Sequence, residues 1–256
     1  LVVTPVEIEG GEAAVTAALQ ASRQTPVTAR ADEAAMQWPY TDFGAPGVPS
    51  GRTEAADLGV TMVTFPNGVR LTIKPTDFRD EQVLVSVRTG IGDLSQPTDR
   101  VTASNMVESV LTAGGLGSLT LDQLNRVLTG RTYSVNGGMG TDSFQYSGAT
   151  KPEDLQLQMQ VMTAYMTDPG LRAAPFEQAK SAWPQQLAQL MATPGGAFAL
   201  QAPVLLAGGD QRAAAPTAEQ AAAFTLDEVR NIVKTGLATG PIDIVMVGDV
   251  TVDDAI

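Results

Sequence analysis

The sequence contains neither cysteine nor histidine among its 256 residues. Disulfide bonds, thiolate metal sites and cysteine nucleophiles are therefore excluded in this chain. The lack of histidine also excludes a Ser-His-Asp triad and a His-Glu-x-x-His zinc site, because both need imidazole as base or ligand. Catalysis by this chain would have to depend on carboxylates, lysine, tyrosine or a hydroxyl group.

Basic residues and long apolar runs are also scarce. The 16 Lys and Arg residues are outnumbered by 28 Asp and Glu residues, which gives a net charge of −12. No basic stripe is present, so neither nucleic acid nor an anionic membrane is an expected partner. No apolar run approaches the roughly 20 residues that span a bilayer. The 43% of hydrophobic residues is enough for a core, in one large or two small domains.

The first 58 residues differ in texture from the rest. A short strand is predicted over 1–8 and a helix over 12–22, and a connector rich in Pro, Gly and Ala follows. We interpret residues 1–58 as the end of a preceding domain and a linker, and residues 59–256 as the domain itself.

Three aromatic residues in the connector are expected to pin it to the domain surface: Trp38, Tyr40 and Phe43. The chain starts at Leu1 without a secretory signal pattern and stops abruptly at Ile256. We therefore expect a fragment of a longer protein.

From residue 59 onward, strands and helices alternate with clear periodicity. A hairpin is predicted over 60–76, because Asn67-Gly68 separates two runs of alternating apolar residues. Most predicted strands come before most predicted helices, and one strand comes late in the chain. This order predicts an α+β fold: a mostly antiparallel sheet with helices packed on one face. The other predicted strands are 81–90, 132–137, 143–149 and 242–249, and the helices are 102–112, 119–128, one from Pro152, 174–191 with a break at Pro184, 197–206, 225–235 and 252–256.

Several stretches could carry chemistry but have simpler explanations. The glycine-rich stretch 114–118 lacks the Lys-Ser/Thr of a phosphate-binding loop and is interpreted as a helix end and turn. Asp227 and Glu228 fit helix capping, and no two acids form a defined acid–base pair. The remaining candidates have no catalytic context: Asp249, Asp253, Asp254, Lys74, Lys151, Lys180 and Lys234.

Three segments in order carry a family resemblance: "FPNGVRLTIKPT", "VLVSVRTGIGD" and "ASNMVESVLTAGG". They resemble the start of a pitrilysin/insulinase-type zinc peptidase domain (the M16 family). Members have a Pro-Asn-Gly hairpin, a strand ending in glycine, and a helix with the inverted motif His-x-x-Glu-His. The resemblance extends over about 59–256 and implies a metallopeptidase-like fold of the pitrilysin/LuxS type.

The inverted motif aligns with the segment from Asn105 to Ser109. The resemblance places Asn105 and Ser109 where the family has zinc-binding histidines, and Glu108 where it has the general base. Amide and hydroxyl oxygens are weak ligands for Zn²⁺. The third family ligand, a glutamate, aligns near Gln185 and Gln186. The resemblance therefore implies a degenerate site with no metal, no cofactor and no catalytic residue in this chain.

Family members of this kind pair a catalytic half with a similar inactive half around a chamber for unfolded peptides. The resemblance thus implies an inactive domain of a larger zinc metallopeptidase, which helps to enclose and bind peptide without binding zinc. Its partners would be the zinc-containing catalytic half and the peptide, in the periplasm or another exported location. Two alternatives stay open: a scaffold domain with no peptidase role, and an autonomous carboxylate enzyme.

Overall fold

The computed structural model describes residues 9–24 and 36–256. The chain divides into two compact units, Leu1–Gln37 and Trp38–Ile256. In the first unit, helix α1 (Gly11–Gln24) confirms the helix predicted over 12–22. The strand predicted over 1–8 lies outside the described residues.

A seven-stranded sheet forms the centre of the second unit, in the order β1-β2-β3-β7-β4-β6-β5. Only the β3–β7 pair is parallel within the described residues, and the other five pairs are antiparallel. The prediction of a mostly antiparallel α+β fold is confirmed. The strands are β1 (Gly51–Ala55), β2 (Val60–Thr64), β3 (Arg70–Pro75), β4 (Val83–Thr89), β5 (Asn136–Met139), β6 (Phe144–Thr150) and β7 (Ile242–Gly248).

The two faces of the sheet differ in exposure. In β4, Val83, Val85 and Val87 are at most 2% exposed, whereas Leu84 between them is 49% exposed. Successive side chains of a strand point to opposite faces, so one face is covered. Helices cover it, with α2 in contact with β5 and α4 with β6. The helices of this unit are α2 (Val107–Leu111), α3 (Leu121–Val127), α4 (Leu155–Thr167), α5 (Ala173–Met191), α6 (Pro194–Leu206), α7 (Ala218–Ala223), α8 (Leu226–Leu237) and α9 (Val252–Ala255).

The predicted hairpin joins β2 and β3. Its turn closes with hydrogen bonds from the N–H of Phe65 to the carbonyl of Val69 and from the N–H of Gly68 to the carbonyl of Phe65. Gly68 has a φ of +86°. That left-handed conformation is one that glycine adopts without steric cost. The Asn-Gly signal was therefore sufficient to locate this turn.

The strand predicted over 132–137 is wrong in its first half. The N–H of Thr132 donates to Asp154, and the N–H of Ser134 donates to Gln158. Side chains thus take the backbone groups that a sheet ladder would use, so β5 starts four residues later than predicted. The sequence pattern alone cannot reveal partners that lie more than twenty positions away.

The helix predicted over 102–112 consists of two pieces. A 3₁₀ segment, Ala103–Met106, precedes α2, and the Thr102 hydroxyl accepts from the N–H of Ser104 at its start. The predicted break at Pro184 is also wrong, because α5 continues through that residue. Helix α7 was not predicted.

The predicted linker contains ordered structure. Strand β1 has an exposed or half-exposed residue at every position, so it has no apolar alternation to detect. Trp38 donates to Gln160 over 3.0 Å, and the Tyr40 hydroxyl donates to Asp168 over 2.7 Å, as expected of residues that pin the segment. Phe43 is 45% exposed, and its anchoring stays a prediction. The division at residue 58 stays a prediction.

None of the helices within the described residues is both long and apolar enough to cross a membrane.

Candidate functional site

The aligned motif lies where the 3₁₀ segment meets α2. Asn105 belongs to the 3₁₀ segment, whereas Glu108 and Ser109 belong to α2. The neighbouring apolar residues face the core, where Met106, Val107 and Val110 are at most 3% exposed. This burial aligns the helix, so the three motif residues lie on its exposed side.

The donor groups of the motif do not fit a zinc ion. Asn105 offers a neutral amide whose Nδ2 donates to the carbonyl of Thr102 over 3.3 Å. Ser109 offers a hydroxyl, and only Glu108 offers a carboxylate. Zn²⁺ in proteins is held by several imidazole, thiolate or carboxylate ligands. Within residues 9–24 and 36–256, no group of three or more acidic side chains is placed to hold a metal ion.

The third-ligand region lies on α5. This helix packs against α2, which agrees with the layout that the resemblance implies. Gln185 and Gln186 are exposed on α5. Their side-chain amides would add only neutral oxygen donors to such a site.

A polar cleft of about 310 Å³ opens beside the motif. Asn105 and Glu108 line it, but Ser109 does not. The opposite wall is formed by Met139 and Thr141 at the end of β5, together with Asp93 from the loop after β4. The loops meet through hydrogen bonds from the N–H groups of residues 93 and 94 to the carbonyls of residues 140 and 141. The structure thus brings two of the three predicted positions into one cleft.

Two further charged residues of the cleft were missed by sequence reasoning, Asp93 and Arg212. One carboxylate oxygen of Asp93 is buried and has no hydrogen-bond partner within the described residues. The guanidinium of Arg212 binds the Asp210 carboxylate and the carbonyl of Leu94. The hydrogen bond from Arg212 lowers the pKa of Asp210. Arg212 is therefore already neutralised, and the cleft is acidic on balance.

Within the described residues, strand β5 forms a free edge of the sheet beside this cleft. The N–H of Gly140 donates to Ser143 on the β6 side. Because strand residues alternate in direction, the N–H groups of Gly137 and Met139 face away from β6. Glu108 lies against this strand, since a Cβ added at Gly138 would be 3.6 Å from its Cγ. An unpaired edge of this kind can accept an additional extended chain.

Several of the other sequence candidates have structural roles. Thr225 and Glu228 form the predicted capping box of α8. Asp249 accepts from the N–H of Glu81, and Asp254 accepts from the hydroxyl of Thr251 at the start of α9.

The glycine-rich stretch 114–118 is also a structural turn. Its Gly114 N–H still donates to the carbonyl of Val110 at the end of the preceding helix, and Gly115 has a φ of +66°. The interpretation as a helix end is supported.

Solved structures of similar fold include three proteases or protease domains. The periplasmic protease PqqL from Escherichia coli matches 95% of this chain with a TM-score of 0.72 and 20% identity. The ferredoxin protease FusC, solved in complex with Arabidopsis ferredoxin, matches 98% with a TM-score of 0.69 and 15% identity. A peptidase M16 inactive domain from Pseudomonas fluorescens matches 77% with a TM-score of 0.63 and 14% identity.

These likenesses show that the chain has the fold of M16-type peptidase domains, including an inactive one. The fold implied by the sequence resemblance is confirmed. The chain spans 27% of PqqL and 28% of FusC. No protein-family model and no curated protein matches the sequence.

Proposed function

We propose that this chain is a non-catalytic M16-type domain of a larger zinc metallopeptidase, in which it helps to enclose and bind peptide substrates. Zinc and peptide cleavage would belong to another domain of the same or a partner chain. The M16-type fold supports this proposal, as does the likeness to an inactive domain. The periplasm or another exported location is part of the proposal, with the periplasmic protease PqqL as its support.

The observation that carries the proposal is the free edge of β5 beside a polar cleft without a zinc ligand set. An extended peptide would add to this edge by backbone hydrogen bonds. Its alternate side chains would then reach the cleft beside Glu108, because side chains of a strand alternate between faces.

A substitution at Met139 tests the binding mode. Met139→Pro removes an outward N–H of β5, whereas Met139→Val keeps it and changes only the side chain. The probe is a fluorescein-labelled, unstructured 20-residue peptide. We expect it to bind Met139→Pro about tenfold more weakly than the parent chain, because the variant lacks one backbone hydrogen bond to the peptide. Met139→Val should bind nearly as the parent chain, and circular dichroism should show both variants folded. Equal binding by both variants would contradict addition at this edge.

Zinc content tests the catalytic part of the proposal. After zinc loading and dialysis, elemental analysis is expected to find close to no zinc per chain. One zinc per chain that is lost in Glu108→Ala would contradict the assignment of Asn105, Glu108 and Ser109 as a degenerate motif. The fragment would then need an assay for peptidase activity of its own.

A scaffold role without any peptidase partner is the second candidate. The exposed apolar residues in the middle strands favour it: Met62, Leu84 and Val245 are 41%, 49% and 38% exposed. Apolar groups on a sheet face fit contact with another protein. An intact His-x-x-Glu-His motif elsewhere in the full-length gene would favour the peptidase role, and absence of peptide binding would favour the scaffold.

A further inference from the structure

A second, larger cleft lies apart from the motif helix, between the turn at 168–171 and α8. Its volume is about 690 Å³, within the range of ligand-binding pockets. Met166, Leu171, Val233 and Leu237 provide much of its apolar lining. No part of the proposed β5 edge lines this cleft, so its role is a separate question.

The wall of this cleft is held firmly. The Arg172 guanidinium donates to the carbonyls of Gly114, Leu116 and Gly117. Backbone hydrogen bonds join Gly117 to Asp168 and Gly170 to Gly115, both under 3.0 Å. These hydrogen bonds within the chain hold the turn in place, so this wall of the cleft is pre-formed.

One residue of this wall has an unusual backbone. Leu171 is buried and has a φ of +34°, a conformation that non-glycine residues rarely adopt. Arg230 donates to its carbonyl over 3.2 Å and so helps to hold it there. Residues with a strained backbone occur preferentially at functional sites, and here Leu171 lines the cleft.

Asp168 and Arg230 in the cleft lining have hydrogen-bond partners, whereas Lys234 has none within the described residues. The Asp168 carboxylate is turned toward the 114–118 loop, where it packs against Gly117 and accepts from the Tyr40 hydroxyl. Arg230 also contacts Asp227, whose side chain is 88% exposed. Lys234 makes no hydrogen bond or ion pair within the described residues. A free ammonium group therefore stands at the rim of an apolar cleft.

We propose that this cleft binds the C-terminal residue of a peptide, with an apolar side chain in the cleft and the terminal carboxylate at Lys234. This inference rests on the proposed function, because it names the part of the peptide that the domain would hold. An open apolar cleft with Lys234 unpaired at its rim matches an apolar group that ends in a carboxylate. Binding the chain end here would leave the preceding residues free to reach other surfaces.

The experiment compares two fluorescein-labelled decapeptides of one sequence ending in leucine, one with a free carboxylate and one amidated. Fluorescence anisotropy is measured for the parent chain, Lys234→Met and, as matched control, Lys74→Met, which removes the same charge from β3. We expect the carboxylate peptide to bind about tenfold tighter than the amide. Lys234→Met should abolish this difference, and Lys74→Met should keep it.

A third variant and a cyclic peptide separate the two proposals. Leu237→Trp fills the cleft and should weaken the carboxylate peptide as strongly as Lys234→Met does. Equal affinities of the two decapeptides for the parent chain, or an equal loss in Lys74→Met, overturn the C-terminal site. If a cyclic peptide binds, and the free-carboxylate decapeptide binds no tighter than the amidated one, the C-terminal site is overturned but the proposed function is supported. If neither cyclic nor linear peptide binds, both proposals fail.

Discussion

Asp154 and Glu108 are both acidic residues near a helix start, and their surroundings are opposite. The Asp154 side chain is 4% exposed and accepts from Arg131 over 2.5 Å and from the N–H of Thr132 over 2.7 Å. Glu108 is exposed and lines an open cleft. Burial would raise the pKa of Asp154, but the hydrogen bonds from Thr132 and Arg131 outweigh burial and lower it.

The contrast shows that the buried, hydrogen-bonded carboxylate of the two has a structural role in this domain. Buried carboxylates are retained where hydrogen bonds satisfy them, and Asp154 together with Gln158 orders the segment before β5. Gln158 is fully buried and binds both the N–H and the carbonyl of Ser134. The motif region has no comparable network, so substitutions there should affect binding and leave stability nearly unchanged.

The largest stability effect is expected at Gly148, which packs against the ordered segment. A Cβ at this position would lie 1.9 Å from the carbonyl oxygen of Ser134 and 2.7 Å from Nε2 of Gln158. Gly148→Ala should therefore lower the free energy of unfolding by about 3 kcal/mol, measured by urea denaturation. Gly195→Ala is the control, because its added Cβ meets nothing within 4 Å. It should be neutral or stabilise by up to about 1 kcal/mol.

Asp154→Ala should have the next largest effect. It removes the carboxylate that accepts from the Thr132 N–H and from Arg131, and hydrogen bonds to a charged group contribute about 1.5–3 kcal/mol each. Glu108→Ala removes the same charge from an exposed site and should change the free energy of unfolding by less than about 0.5 kcal/mol. If thermal or urea unfolding showed similar losses of stability for the two variants, the contrast between Asp154 and Glu108 would be wrong.

The lowered pKa of Asp154 predicts a loss of stability in acid. The folded state holds this carboxylate deprotonated more strongly than the unfolded state does, so its contribution is fully present above the unfolded pKa near 3.9. It is lost as pH falls through the lower folded value. We expect the free energy of unfolding to decrease when the pH is lowered below about 4. The decrease should be smaller in Asp154→Asn.

Asp142 and Asp210 could contribute to the same acid transition. Their pKa values are also lowered, chiefly by hydrogen bonds from Arg88 and Arg212. The Asp142 side chain is 58% exposed and the Asp210 side chain is 22% exposed, so solvent screens their pairs more. Asp142→Asn should therefore keep most of the decrease in unfolding free energy at low pH. If its unfolding free energy depended on pH as weakly as that of Asp154→Asn, Asp154 would not be the main contributor.

The smallest effect is expected at Asn105. Within the described residues, its amide makes one hydrogen bond, to the Thr102 carbonyl, at an exposed position. Asn105→Ala should change the melting temperature by no more than about 2 °C, since surface substitutions stay within about 0.5 kcal/mol. A large destabilisation would indicate a structural role for this motif position.

Much of the fold was predictable because its signals are local. The Asn-Gly turn, the alternating valines of β4 and the Thr225–Glu228 capping box all depend on residues within a few positions of one another. The position of Glu108 on a helix was visible in the same way. The cleft was not predictable, because Asp93 and Arg212 come from distant parts of the chain.

By itself, the sequence determined the absence of imidazole and thiol groups, the α+β class and the exposed side of the motif helix. Composition and periodicity carry this information, since both act through local geometry and side-chain chemistry. The tertiary structure decided where β5 begins, that β1 joins the sheet, and which charges meet in each cleft. These features depend on hydrogen bonds and packing between residues far apart in the chain, which no local pattern records.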